Sequence, residues 1–118
     1  MNTRKNLTTL TMLVDSVADS LRRVTVLKDE HRKRVIRCAF DDIERAKAFW
    51  RDGRVEGLET ALGILADARI TLAECLKSGV SPIQRGEMAL KVLDGVLRAL
   101  NDIKNTLAGC QEEMEACA

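Results

Sequence analysis

The feature that most constrains the fold is an apolar track in the last third of the chain. Small or apolar residues recur there at alternating spacings of three and four: Gly86, Ala89, Leu93, Val96, Leu100, Ile103 and Leu107. At about 3.6 residues per turn, this spacing places all seven residues on one face of an α-helix. Such a face needs other elements to cover it. We therefore expect a long helix over residues 81–107, packed against partners of similar length.

Two earlier segments, residues 7–50 and about 54–77, carry apolar tracks of the same kind. A straight helix over residues 7–50 would be about 66 Å long and would extend about 25 Å beyond the later helices, which would leave apolar side chains in water. The sequence therefore predicts an all-α fold, an antiparallel helical bundle of three long helices. We expect the first helix to bend near residues 25–30, so that four helical segments pack together.

Length and composition indicate one domain that spans residues 1–118. A chain of 118 residues is long enough to bury about 65% of its unfolded surface in a single core. Hydrophobic residues make up 46% of the chain and aromatic residues only 3%, which suits the packing of aliphatic helices. The ends are polar or acidic, so we expect residues 1–6 and about 112–118 to be frayed.

Local signals predict where two of the helices begin or end. Ser81 and Gln84 have the spacing of a capping box, and Pro82 lies between them at the first helical position. Gly53 follows the first long segment, where a glycine commonly ends a helix.

Four cysteines lie on apolar helical tracks: Cys38, Cys75, Cys110 and Cys117. They could form two disulfides with three connectivities, but on such tracks a reduced thiol that packs as a small hydrophobe is favoured. No signal-like apolar segment occurs near the N-terminus, and no apolar run approaches the roughly 20 residues of a membrane span. The expectation is a cytoplasmic protein without contact to a membrane. Zinc is not expected, since no C-x-x-C pair occurs.

The sequence offers little catalytic chemistry. His31 is the only histidine, and phosphate-binding loops, nucleophilic triads and dinucleotide fingerprints are absent from the sequence. We therefore expect no catalytic residue, cofactor or metal, and no enzymatic activity. A Mg-dependent all-helical nucleotide hydrolase stays as an alternative because of one group of acids. These acids are Asp41, Asp42, Glu44, Glu56 and Glu59. A matching acidic pair on a second helix is missing, since Asp94 and Asp102 are eight residues apart.

A basic cluster is the strongest indication of function. Residues 1–37 carry nine Lys or Arg and four acids, a net charge of +5, whereas residues 38–78 and 79–118 each carry −2. Such asymmetry orients encounters with an acidic partner or a phosphate backbone. The predicted partner-binding residues are Arg22, Arg23, Lys28, Arg32, Lys33, Arg34 and Arg37.

The favoured hypothesis is a non-enzymatic helical interaction protein: an adaptor, regulator or inhibitor that binds a larger protein assembly. A nucleic-acid-associated regulator that uses the same cluster is the alternative, although no aromatic residue is interleaved for base stacking. A solvated turn between two helical segments would also explain the cluster. Four apolar residues outside the main tracks, Ile64, Ile70, Leu90 and Leu97, further predict a homodimer.

Overall fold

The computed structural model describes the backbone of residues 3–52 and 58–117, and the side chains of residues 5–24, 26–48 and 58–109. Within these ranges the chain forms four α-helices and no strand. They are α1 (Thr3–Arg22), α2 (Asp29–Asp52), α3 (Glu59–Cys75) and α4 (Pro82–Cys117). The all-α prediction is confirmed. The prediction that Gly53 ends a helix lies outside the described residues.

The expected count of three long helices is wrong, because the first one is two separate helices. Between α1 and α2, Val24–Val26 form a 3₁₀ turn, and Leu27 is extended with φ −94° and ψ 153°. The two valines are β-branched and lower the preference for a continuous α-helix. The acidic first turn of α2 favours a new helix start, since acids stabilise the positive end of the helix dipole. The break lies where a bend was expected.

Each helix packs mainly against two others. α1 contacts α2 and α4, and α3 also contacts α2 and α4, so the four helices enclose one apolar core. The largest fully buried side chains include Leu7 and Leu21 of α1, Ile36 and Ile43 of α2, Leu65 and Leu72 of α3, and Val96 and Ile103 of α4. The described molecule measures 54 × 24 × 18 Å.

The start of α4 has the predicted pair of capping hydrogen bonds. The backbone N–H of Ser81 donates to Oε1 of Gln84, and the backbone N–H of Gln84 donates to Oγ of Ser81, both at 3.2 Å. Pro82 is the first helical residue. These reciprocal bonds satisfy two backbone donors that a helix start leaves without partners. The capping box is therefore confirmed.

Arg85 is a buried charge that joins three elements at this end of the molecule. Its side chain is almost fully buried, and its Nη1 donates to both carboxylate oxygens of Asp29, at 2.6 and 2.7 Å. Its Nε donates to the Cys75 carbonyl at 2.7 Å, and its Nη2 donates to the Val80 carbonyl at 3.0 Å. A buried guanidinium is stable only when its donors are used and its charge is paired. Arg85 thus ties the start of α2 to the end of α3 and to the α3–α4 connection.

The cysteines divide by location. Cys75 is a buried free thiol, as expected, but Cys38 is exposed, so the expectation of burial is wrong at that position. The reason is helical register: Ile36, Ala39 and Ile43 face the core, and Cys38 lies on the opposite side of α2. The side chains of Cys110 and Cys117 lie outside the described residues.

Candidate interaction surface

The seven predicted basic residues surround the break between α1 and α2. Arg22 ends α1, Arg23 and Lys28 lie on the connection, and the remaining four lie in the first turns of α2: Arg32, Lys33, Arg34 and Arg37. The structure brings them to one region of the molecule but gives them different surroundings. They fall into three groups by the contacts of their charged ends.

Arg32 has a structural role. Its Nε donates to the Val24 carbonyl at 2.8 Å, and its Nη1 donates to the Pro82 carbonyl at 3.0 Å. The side chain is half-buried, and a Cβ at Gly86 would lie 3.7 Å from its Nη1. Arg32 therefore joins the 3₁₀ turn to the start of α4, beside the buried ion pair of Arg85.

Two cations form ion pairs within their own helix. Nη1 of Arg22 lies 3.3 Å from a carboxylate oxygen of Asp19, and Nζ of Lys33 lies 3.8 Å from Asp29. Both basic side chains are about half exposed, so solvent screens these pairs and each stabilises the fold only slightly. The positive charge of each is nevertheless partly balanced by a neighbouring acid.

Four cations are exposed and make no ion pair or side-chain hydrogen bond with the residues that the structure describes. They are Arg23, Lys28, Arg34 and Arg37, which we call the basic surface. Arg34 and Arg37 are one turn apart on the outer face of α2. Glu30 and Asp41 are also exposed on this helix, but neither pairs with a basic side chain in the described part of the chain. The basic surface therefore keeps an excess of uncompensated positive charge.

Two acids of the alternative hydrolase hypothesis, Asp42 and Glu44, make contacts between and within helices. Asp42 accepts a hydrogen bond from Oγ of Ser16 at 2.9 Å and lies 3.6 Å from Nη1 of Arg45. Glu44 forms an ion pair with Arg69 of α3, and that guanidinium carbon lies 5.4 Å from the centroid of the Phe40 ring. Among the described side chains no three His, Cys, Asp or Glu residues group in a way that could hold a metal ion. Glu56 lies outside the described residues.

His31, the histidine that any histidine-dependent catalysis would need, is exposed near the start of α2.

A shallow groove of about 270 Å³ runs between α3 and α4, with Ile64 and Val92 in its apolar lining and Asp67 and Lys91 among its polar residues. The groove is remote in sequence from the basic surface, and none of the seven predicted basic residues lines it.

Arg85 and two exposed apolar residues, Val26 and Ile83, were not singled out from the sequence. A signal for Arg85 was present, since it continues a track of buried residues at spacings of three and four: Ala89, Val92, Val96, Ala99 and Ile103. No comparable sequence signal marks Val26 or Ile83, because exposure at a turn depends on how the helices meet.

Comparison with models of known protein families, with curated proteins and with solved structures finds no match for this chain. No helix in the described ranges combines the length and the apolar character needed to cross a membrane.

Proposed function

We propose that this chain is a small non-enzymatic interaction protein that binds an acidic surface of a larger protein assembly. Its role would be that of an adaptor, regulator or inhibitor. The observation that carries the proposal is the basic surface: Arg23, Lys28, Arg34 and Arg37 are exposed without an acidic partner. Complementary charge increases the rate of association and discriminates against wrong partners.

The backbone beneath these cations supports the proposal. Arg32 donates to one carbonyl of the 3₁₀ turn and to one carbonyl of α4, and Arg85 forms an ion pair with Asp29, the first residue of α2. A surface whose backbone is already ordered loses less conformational entropy when it binds. The contacts between the helices are compatible with an antiparallel four-helix bundle. In such a bundle the basic surface would lie around the α1–α2 connection.

The same cations suit a phosphate backbone, so a nucleic-acid-associated regulator is the second candidate. The two candidates differ in what removes the bound partner. Contacts with phosphates release counterions and weaken steeply with salt, and digestion by nuclease would abolish them. A protein partner would survive nuclease treatment.

The proposal can be tested by affinity capture from the native host, with nuclease added. We expect wild-type protein to retain a defined set of proteins that the Arg34→Glu, Arg37→Glu double variant does not retain. The matched control is Lys91→Glu with Lys104→Glu, which makes the same charge change at two exposed lysines of α4. Equal retention by the two double variants would contradict the proposal. Loss of all captured material on nuclease treatment would favour the second candidate.

A further inference from the structure

We propose that the docking surface extends from the basic surface onto an apolar pair formed by Val26 and Ile83. Its occupant would be an acidic protein segment that also carries apolar side chains. This inference rests on the proposed function, because it names the chemistry of the partner at the same end of the molecule.

Val26 and Ile83 are the two most exposed large hydrophobic residues that the structure describes, at 83% and 73%. Val26 lies in the 3₁₀ turn, and Ile83 lies in the first turn of α4. Neither side chain contributes to the buried core, and the capping bonds of α4 use Ser81 and Gln84. The fold therefore gains little from an apolar side chain at either position.

The two residues lie at the same end of the molecule because one guanidinium joins their turns. Arg32 donates to the Val24 carbonyl, two residues before Val26, and to the Pro82 carbonyl, one residue before Ile83. The hydrogen bonds also restrain the backbone on which both side chains stand. The apolar pair is thus part of an ordered surface.

Charge complementarity selects the occupant. Arg23 directly precedes the 3₁₀ turn and Lys28 follows it, and both cations lack an acidic partner among the described residues. A second copy of this chain would bring these cations against one another, which disfavours a dimer through this surface. A polyanion without apolar groups would leave Val26 and Ile83 in water. Two side chains also present too little apolar area to hold a protein on a membrane. An acidic segment with apolar side chains satisfies both parts of the surface.

The test is a fluorescence anisotropy titration of the full chain with two labelled synthetic peptides of equal length and charge. One peptide alternates Glu with Leu and Phe, and the other replaces each Leu and Phe with Ser. We expect the apolar peptide to bind at least about tenfold more tightly, as the loss of a buried anchor typically costs that much. The Val26→Ser, Ile83→Ser double variant should bind the two peptides with equal affinity.

The matched control is Met12→Ser with Ile70→Ser, which removes two other exposed apolar side chains, 68% and 59% accessible, from α1 and α3. This variant should keep the preference for the apolar peptide. Circular dichroism should show that both double variants remain helical and melt as the wild type does, which distinguishes a lost preference from a loss of fold.

Each other outcome has a definite meaning. Equal binding of both peptides, lost in the Arg34→Glu, Arg37→Glu variant, would overturn the apolar pair while the proposed function stands. Absence of binding by either peptide would overturn the inference, and the capture experiment would judge the proposed function separately. Tighter binding of phosphatidylserine vesicles or of a thymidine oligonucleotide, lost in the Val26→Ser, Ile83→Ser variant, would show that the occupant is of another class.

Discussion

At the scale of single residues, the structure depends on one buried charge. Arg85 lies in an apolar track of α4, where its guanidinium meets Asp29 and the carbonyls of Cys75 and Val80. Removal of this side chain would leave two carbonyls without their donor, and the half-buried carboxylate of Asp29 would keep only the more distant Lys33. Such losses cost far more than the surface ion pairs of the same molecule contribute.

We therefore expect Arg85→Met to lower the free energy of unfolding by about 3–5 kcal/mol. Methionine fills much of the same volume, so the loss reports the missing charge and hydrogen bonds rather than a cavity. Urea denaturation followed by circular dichroism measures the change. Arg98→Met is a suitable control, because Arg98 pairs with Asp94 on the surface and its loss should cost at most about 1 kcal/mol. Equal small losses for both variants would show that Arg85 does not join the helices.

The two described cysteines should differ sharply in reactivity. Burial raises the pKa of the Cys75 thiol, and the nearby charge of Arg85 only partly offsets this effect. We expect iodoacetamide to modify exposed Cys38 quickly and to modify Cys75 only as the protein unfolds, since the thiolate is the reactive form. Peptide mapping by mass spectrometry at increasing times measures both rates. Modification of Cys75 at the rate of Cys38 in the folded protein would contradict its burial.

The same raised pKa predicts how stability changes with pH. The folded state holds the Cys75 proton to higher pH than the unfolded chain does, so its contribution is complete below the ordinary thiol pKa of 9.0. It is lost as the pH rises through the higher folded pKa. As the pH rises above 9.0, the free energy of unfolding should therefore fall less for Cys75→Ala than for the wild type. Parallel losses in the two proteins, measured by urea denaturation at each pH, would exclude this contribution.

At the scale of the helices, the sequence predicted the positions of the helices better than it predicted the contacts between them. The comparison of helix lengths indicated a bend near residues 25–30, and the break lies there. Ser81, Pro82 and Gln84 predicted the start of α4 because capping chemistry is local in sequence. The buried face of α4 is rotated from the expected one. Val92 and Ala99 are buried, whereas Leu93 and Leu107 are only half-buried.

The tie made by Arg32 could not be predicted from the sequence. Its acceptors are backbone carbonyls, and Pro82 is 50 residues away. The ion pairs of Arg22 and Lys33, in contrast, follow from acids three or four residues away on the same helix. Sequence patterns therefore found the basic cluster but could not separate Arg32 from the cations that remain exposed.

We expect Arg32→Ala to destabilise the protein by about 1–3 kcal/mol, because two carbonyls lose a charged donor. Amide hydrogen exchange should accelerate at residues 24–28 and 82–86, where these carbonyls lie. The matched control is Arg34→Ala, two positions away and exposed, which should change stability by no more than about 0.5 kcal/mol. If amide exchange in the two segments is equally fast in both variants, the hydrogen bonds of Arg32 to Val24 and Pro82 do not stabilise the fold.

At the scale of the whole molecule, the predicted homodimer stays a prediction. Ile64 is half-buried, and a Cβ at Gly95 would lie 3.3 Å from its Cγ2, so Ile64 is largely occupied within the chain. Leu90 and Leu97 are exposed and seven residues apart, which places them on the same face of α4. Leu90 and Leu97 therefore form one candidate surface for contact between two copies.

We expect sedimentation at micromolar concentration to detect a dimer that the Leu90→Ser, Leu97→Ser variant does not form. The variant removes apolar surface without disturbing the core, so its helicity should match that of wild type. Only monomer in the wild-type sample would contradict the dimer. A dimer that persists in the variant would show that another surface mediates it.

The central claim for the whole molecule is that its basic surface binds an acidic protein partner. The most direct measurement is the dissociation constant of the captured partner for wild type, for Arg34→Glu with Arg37→Glu, and for Lys91→Glu with Lys104→Glu. We expect the first double variant to bind at least about tenfold more weakly than wild type and the second to bind within about twofold of it. Equal affinity of the two double variants would contradict the account.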